Sequence, residues 1–184
     1  MARFDIIARF ILSYEGGFVN HPNDKGRETN KGVTIAVWKA QGYDKNGDGR
    51  LDVKDLKLIS DADAMSIMRK FYWNRWLGDK IEDQSIANIL VDFVWGSGAW
   101  GIKIPQRVLG VLIDGIVGEK TIAAINAEDP KSLFERLKSA RVKYINDTIS
   151  KNPSFAVFRK GWLRRLNAIE YGKLVLNNGK VLTF

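Results

Sequence analysis

The chain has 184 residues, 45% of them hydrophobic, and a formal net charge of +8 with a pI near 9.7. This length and apolar content suffice for one sizeable core and exclude a disordered polypeptide. The absence of cysteine excludes a disulfide framework and thiol chemistry, and the positive charge predicts an anionic partner: a nucleic acid, a membrane surface or an anionic cell-wall polymer.

The first predicted helix ends at a glutamate. Apolar residues recur there at steps of three and four, at Phe4, Ile7, Ala8 and Ile11. Glu15 continues this stripe, and Gly16-Gly17 predicts the helix end just after it, beside carbonyl groups that carry partial negative charge. Partial burial and this dipole disfavour the ionised form, so the pattern predicts a carboxylic acid that keeps its proton near neutrality and serves as a general acid. The alternative is a glutamate that reaches water or caps a neighbour.

Two short elements are predicted next. The polar segment from Val19 to Lys31 is typical of a loop or of short irregular strands. A short helix is predicted from Thr34 to Gln41, where Gly42 stops it.

Residues 44–55 have the spacing of an EF-hand-like calcium loop. Oxygen ligands fall at loop positions 1, 3, 5, 7, 9 and 12, the seventh being a backbone carbonyl, and a glycine at position 6 permits the sharp turn; these ligand positions are Asp44, Asn46, Asp48, Arg50, Asp52 and Asp55. Asp55 is shorter than the usual glutamate. The pattern predicts a structural Ca²⁺ site in an insertion spanning residues 42–56, and a solvated polar turn is the alternative.

The rest of the chain is predicted to be helical up to a final hairpin. Helix starts are predicted at Ser60, Ser85, Pro105, Pro130 and Pro153, and the turn from Asp114 to Thr121 leads into another helix. The last helix has a basic face that is predicted to be mostly solvated, formed by Arg159, Lys160, Arg164 and Arg165. A hairpin pairs Leu174-Val175-Leu176 with Val181-Leu182. The predicted class is mostly α.

Several segments resemble the phage-type N-acetylmuramidases, or endolysins, of glycoside hydrolase family 108. The segments that resemble the family signature are Glu15-Gly16-Gly17-Phe18-Val19-Asn20, Asp24 and Thr29-Asn30-Lys31-Gly32-Val33-Thr34. Further family segments are resembled by Phe71-Tyr72-Trp73, by Asp92-Phe93 with Ser97-Gly98, by Asp114–Thr121 and by Phe158–Arg165. Gly96 departs from the family, which commonly has Asn before Ser-Gly.

The resemblance implies a mostly α, lysozyme-like muramidase fold with a small irregular or β region after the first helix. It divides the chain into a lysozyme-like catalytic part, residues 1–98, and a helical peptidoglycan-binding part, residues 99–184, packed on it as one compact unit. The implied reaction is hydrolysis of the β-1,4 bond between N-acetylmuramic acid and N-acetylglucosamine, which requires a proton donor and a second group across the scissile bond.

The resemblance also implies site residues. Glu15 is expected to donate the proton, and Asp24 to stabilise the developing positive charge or orient the water. Thr29 or Thr34 is expected to hold that water. The alternative for Asp24 is a turn residue without a catalytic role. Substrate-binding residues are expected at Thr34, Trp73, Trp95, Ser97 and Asp114. The tryptophans offer flat faces to sugar rings, with core packing as the alternative. Asp114 belongs to a turn before a helix N-terminus that can receive a stem-peptide carboxylate, or that merely connects two helices.

The expected partner is bacterial peptidoglycan, with no nucleic acid, no stable membrane insertion and a monomeric state. Catalysis is expected to need no cofactor. Asp5 and Arg9 interrupt the apolar core that a signal peptide needs, so we expect synthesis in the cytoplasm. We expect the protein to act on the wall, in the periplasm or outside the cell, after lysis or assisted export. Two other readings compete: a non-catalytic wall-binding protein with a degenerate site, and a basic nucleic-acid-binding protein, whose motifs are lacking.

Overall fold

Helices predominate in the structure, a computed structural model that describes residues 1–20 and 28–184. The α-helices are α1 (Phe4–Tyr14), α2 (Ile35–Gln41), α3 (Val53–Leu58), α4 (Asp61–Met68), α5 (Gln84–Ser97), α6 (Trp100–Leu109), α7 (Glu119–Asn126), α8 (Pro130–Lys151) and α9 (Arg159–Asn167). A π-helical turn (Arg69–Trp73) and two 3-10 turns (Asn74–Trp76, Gly78–Lys80) link α4 to α5, and a further 3-10 segment (Pro153–Phe158) precedes α9.

Two small antiparallel sheets accompany the helices. The first follows α1 and has the order β1 (Val19–Asn20), β2 (Glu28–Asn30), β3 (Val33–Thr34). Thr29 stands opposite Val19 on one side and Thr34 on the other. The second closes the chain with β4 (Ile169–Glu170), β5 (Lys173–Val175) and β6 (Val181–Thr183). The prediction of a mostly α chain with a small β region after the first helix is confirmed.

Helix α5 is the centre of the core. Every residue from Ser85 to Val94 is buried, as expected of a helix with neighbours on all sides. It packs against α1, α6 and α8, so apolar residues from the N-terminal and C-terminal halves share one core. A second cluster around Val33, Trp38 and Leu56 underlies the first sheet. No helix within the two described ranges is both long and apolar enough to cross a bilayer.

Local capping signals set the starts of α4 and α8 as predicted. Ser60 and Asp63 form a capping box at α4, and the Asp129 side chain accepts a hydrogen bond from the Ser132 N–H at the start of α8, with Pro130 in the first turn. Helix α5 begins one residue before the predicted Ser85 because Asp83 caps it, and Pro153 opens a 3-10 segment while α9 begins at Arg159. The helix start predicted at Pro105 is wrong, because α6 begins at Trp100 and includes that proline. Packing of α6 on α5 outweighs the hydrogen bond that proline cannot donate.

This packing depends on a glycine. A Cβ atom at Gly101 would lie 2.5 Å from the carbonyl carbon and oxygen of Phe93, and these backbone atoms of α5 cannot yield as a flexible side chain would. Gly101 therefore lets the two helices approach closely. At Gly161 in α9, no atom of the described residues lies within 4 Å of the corresponding Cβ position.

Gly101→Ala should lower the free energy of unfolding by about 1–3 kcal/mol, the range expected when a core is overpacked. Gly161→Ala is the matched control and should be neutral or stabilise by up to about 1 kcal/mol, because alanine is the better helix former. Urea unfolding of both variants measures the difference. Coincident midpoints for the two variants would contradict this account of the α5–α6 contact.

Candidate active site

Glu15 lies immediately after α1. Its backbone is extended, with φ −83° and ψ 132°, and its N–H donates to the carbonyl oxygens of Ile11 and Leu12. The helix thus ends one residue earlier than the predicted last turn, at Tyr14. The Glu15 side chain is 19% exposed, so it is largely removed from water without being sealed off.

Three distant parts of the chain fix the Glu15 carboxyl group. Trp95 Nε1 donates to Oε1 at 2.8 Å, and Arg165 Nη1 donates to the same oxygen at 2.9 Å. The turn between β2 and β3 approaches from another side: Gly32 has φ +76°, and a Cβ atom there would lie 2.9 Å from Glu15 Cδ and would collide with the Trp95 ring. Only glycine suits both demands. The sequence pattern did not predict a guanidinium group beside this carboxyl group.

Behind Glu15 lies a buried charge cluster. Asp92 of α5 is fully buried, and its Oδ1 accepts from Arg165 Nε at 2.9 Å and from Nη2 at 2.8 Å. Arg141 of α8 places Nη2 2.6 Å from Asp92 Oδ2. If Glu15 is ionised, the positive charges of Arg141 and Arg165 are balanced by the negative charges of Asp92 and Glu15.

The two arginines are compensated unequally. Burial acts to raise the pKa of Asp92, but Arg165 and Arg141 outweigh it and hold this pKa below its usual value. Burial acts to lower the pKa of Arg165, but the carboxylates of Asp92 and Glu15 raise it above the ordinary value. For Arg141, burial prevails over the attraction of Asp92, and its pKa is lowered. The cation with one carboxylate neighbour is therefore less well stabilised than the cation with two.

A cavity of about 350 Å³ opens beside this cluster. Its size is at the lower end of the range for small-molecule sites. Residues of α5, α8 and α9 line it together with the catalytic candidate: Glu15, Trp95, Gly96, Ser97, Arg141, Tyr144, Ile145, Thr148, Trp162 and Arg165. Two of the predicted substrate-binding residues, Trp95 and Ser97, thus share a cavity with Glu15.

One of the predicted sugar-stacking residues is misassigned. Trp73 is fully buried, packs edge-to-face on Phe4 and donates through Nε1 to Asp79 at 3.0 Å. A ring with no exposed surface cannot stack on a sugar, so the prediction for Trp73 is wrong. Core packing, the alternative, describes it correctly.

The other predicted groups are placed less directly. Thr29 and Thr34 face each other across β2 and β3, and the Thr34 hydroxyl caps α2 by accepting from Val37 N–H at 3.3 Å. Asp24 lies outside the described residues, and no contact tests the roles of Thr29 and Thr34, so all three roles stay predictions. Asp114 Oδ1 accepts from Gln106 Nε2 and from Ile116 N–H, both at 2.8 Å. Asp114 therefore builds its own turn, and substrate binding by it stays a prediction.

The calcium-like loop is held together by its own backbone. Asp44 accepts from the N–H groups of Gly47 and Gly49, both at 2.7 Å, and both glycines have positive φ. Asp55 is buried: its Oδ1 accepts from Lys45 N–H at 2.8 Å and its Oδ2 from Asp52 N–H at 2.9 Å. These backbone donors, that of Asp52 first, lower the pKa of Asp55. In the described part of the chain no three histidine, aspartate or glutamate side chains stand close enough to hold a metal ion. Calcium binding stays a prediction.

The two arginines are the functional residues that the sequence pattern missed. The sequence pattern predicts Arg165 on a mostly solvated basic face, but its side chain is only 18% exposed and pairs with Glu15 and Asp92. It follows Trp162 by three residues and precedes Leu166, so it borders the apolar stripe of α9. Arg141 lies within the α8 stripe, four residues from Leu137 and from Ile145. In both helices the signal in the sequence was an arginine at or beside the apolar stripe, which indicates a charged side chain that is partly buried.

Comparison with known proteins connects both halves of this site to families. A model described as glycosyl hydrolase 108 matches residues 8–98, and one described as a predicted peptidoglycan domain matches residues 100–167. Among solved structures, that of Brucella abortus SagA is similar over 86% of each chain, with 31% sequence identity and a TM-score of 0.70. No curated protein matches the chain.

Asp92→Asn should lower the free energy of unfolding at pH 7 by about 3–5 kcal/mol, because it leaves two buried guanidinium groups without their shared anion. The folded-state pKa of Asp92 is depressed, so this contribution is complete above the unfolded value of about 3.9 and is lost as the pH falls below it. The difference between wild type and variant should therefore narrow below about pH 4.

Urea unfolding at pH 7 and at lower pH measures this difference. Asp61→Asn is the matched control, because Asp61 forms an ion pair with Lys31 at 68% exposure and should contribute less than about 1 kcal/mol. Equal destabilisation by the two substitutions at pH 7 would contradict the role of Asp92.

Proposed function

The chain belongs to the glycosyl hydrolase 108 family, and we propose that it is an N-acetylmuramidase that cleaves the β-1,4 bond between N-acetylmuramic acid and N-acetylglucosamine. The two family matches support hydrolysis of glycosidic bonds in peptidoglycan at the bacterial cell wall. One observation carries the assignment of Glu15: its carboxyl group is fixed at the edge of a cavity by Trp95 and Arg165.

In this proposal Glu15 protonates the glycosidic oxygen of the leaving group. Within the described residues, both hydrogen bonds to its carboxyl group end on Oε1, so Oε2 is the oxygen that carries the proton. Trp95 and Arg165 hold the group in one orientation, which lowers the entropic cost of reaching the transition state. The roles of Asp24, as charge stabiliser or water-orienting group, and of Thr29, as water-holding group, complete the proposed machinery.

Protonation of Glu15 changes the charge of the cluster. Asp92 then faces Arg141 and Arg165 alone, and the site has one excess positive charge. This local field stabilises negative charge rather than the oxocarbenium-like transition state. A carboxylate from Asp24 on the other side of the sugar would supply the opposite charge where the cation develops.

The basic charge of the chain supports attraction to an anionic wall, since long-range fields raise encounter rates. We further propose that the protein acts as a monomer and reaches the wall after lysis or assisted export. These proposals are independent of the assignment of Glu15.

Glu15→Gln should reduce the release of reducing ends from purified peptidoglycan by about a hundredfold or more, because the amide has no proton to donate. Asp24→Asn should reduce the rate less than Glu15→Gln does if Asp24 only stabilises charge, and about as much if Asp24 is a nucleophile. Trp95→Phe keeps an aromatic side chain but removes the indole N–H that donates to Glu15, so it should reduce the rate less than Glu15→Gln does. Circular dichroism confirms that each variant is folded.

A Glu15→Gln variant with half the wild-type rate would refute the assignment of Glu15. Wild-type protein that binds peptidoglycan and releases no reducing ends would indicate the alternative, a wall-binding protein with a degenerate site. Mass spectrometry of the products identifies the bond, since a muramidase leaves N-acetylmuramic acid at the new reducing end.

We also propose that the loop from Asp44 to Asp55 binds a structural Ca²⁺ ion. Hard oxygen ligands at this spacing suit calcium, although Asp55 would have to exchange its backbone donors for the ion. A ligand that binds only the folded state stabilises it by about 2.7 kcal/mol at a hundredfold excess over its dissociation constant. Millimolar calcium should raise the melting temperature and a chelator should lower it.

Asp48→Ala should remove the calcium effect, and Asp61→Ala, outside the loop, should retain it. If the wild type has the same melting curve in calcium as in chelator, the proposal is refuted and the loop is a solvated polar turn. The rate of peptidoglycan cleavage should be the same under both conditions at a temperature at which both forms are folded.

A further inference from the structure

We propose that the cavity beside Glu15 is a subsite for a carboxylate on the side arm of N-acetylmuramic acid, and that Arg141 is its principal donor. The inference rests on the proposed function, because it names the part of the same substrate that enters the cavity. Neither family match assigns a residue to such a contact.

The first observation is an unused donor on Arg141. This side chain is 9% exposed and borders the cavity. Its Nη2 faces Asp92, whereas its Nη1 is buried and has no hydrogen-bond partner in residues 1–20 and 28–184. A buried guanidinium N–H without an acceptor is costly, and such groups in native proteins are generally paired with protein, water or a ligand. The cavity borders the same guanidinium group, so a small rotation of the Arg141 side chain would bring this N–H to an acceptor atom there.

The charge balance favours an anionic acceptor. Asp92 is shared by two arginines. Arg165 has Glu15 as a second carboxylate, whereas in the described part of the chain Arg141 pairs with Asp92 alone. Once Glu15 holds the proton that it donates in catalysis, the cluster has one positive charge in excess. A carboxylate beside Arg141 would restore neutrality and form a charge-assisted hydrogen bond, which is about twice as strong as a neutral one.

Open space adjoins the other terminal nitrogen of this guanidinium group. Among the described residues, a Cβ atom at Gly96 would have a single neighbour within 4 Å, Arg141 Nη2 at 3.9 Å. Hydroxyl groups of Ser97, Tyr144 and Thr148 line the cavity, which suits a polar ligand. The partly exposed ring of Trp162, at 37%, lies at the same cavity and offers an apolar face.

The substrate has one sugar that fits. Of the two alternating sugars, only N-acetylmuramic acid has an acid-bearing arm, attached through its lactyl ether. The cavity includes Glu15, so this arm would belong to a sugar next to the scissile bond. The carboxylate is either that of the lactyl group itself, in glycan without peptide, or that of the first stem residue in glycan trimmed to this residue, because both groups are amides in longer stems.

Calorimetric titration with small probes tests the subsite without any cleavage. The probes are N-acetylmuramic acid, its neutral lactyl amide, N-acetylmuramoyl-L-alanine and N-acetylglucosamine. We expect at least one of the two carboxylate probes to bind about tenfold or more tightly than the two neutral ones. The tighter of the two acids identifies the source of the carboxylate. Equal affinities for acids and neutral probes would overturn the proposal.

Two variants locate the effect. Gly96→Asn places a side chain over Arg141 and should weaken the binding of the acids about tenfold. Gly118→Asn is the control: Gly118 is the N-cap of α7 and has open space around it, so the affinity for the acids should be unchanged. Arg141→Lys keeps a cation opposite Asp92 but removes the second nitrogen, so it should abolish the preference for acids. A preference that persists in Gly96→Asn and in Arg141→Lys would overturn the assignment to Arg141.

The Glu15→Gln variant separates this inference from the proposed function. Glutamine is neutral at every pH, so the acids should bind at least as tightly as to the wild type while cleavage is lost. If the wild type fails to cleave peptidoglycan but prefers the acids, the proposed function fails and the subsite stands. If it cleaves peptidoglycan and shows no preference for the acids, the subsite fails and the proposed function stands.

Discussion

The buried carboxylate of Asp92 is the interaction on which the site depends. It lies on the central helix α5 and holds Arg141 of α8 and Arg165 of α9 in place, and Arg165 in turn holds Glu15. Removing such charges from water is costly, and the geometry must be good to offset the cost. The cluster therefore contributes less to net stability than to the position of three helices around one cavity.

Local patterns in the sequence predicted local features. The apolar stripe of α1 and the following glycines placed Glu15 at a helix end, and cap residues such as Ser60 and Asp129 marked helix starts that the structure confirms. These features depend on residues three or four positions apart. Arg165 could not be assigned in this way, because its orientation depends on Asp92, which is 73 residues away in sequence.

Aromatic residues show the same limit. Trp73 and Trp95 looked alike as candidates for stacking on sugars, since both follow apolar helical stripes. Trp73 is buried because Phe4 and Asp79 cover it, whereas Trp95 stands at the cavity because the glycine turn at Gly32 packs on its ring. The choice between core and site is made by neighbours from other elements, which a single sequence does not reveal.

The pairing of Glu15 with Arg165 joins residues that are 150 positions apart. During synthesis, the first exists long before the second leaves the ribosome. A partial chain that ends before α9 would have the acid without the arginine that orients it and would leave Asp92 with a single buried partner. Formation of the cluster around Glu15 is thus coupled to synthesis of α9, so the growing polypeptide must extend 150 positions beyond the glutamate before the arginine can pair with it.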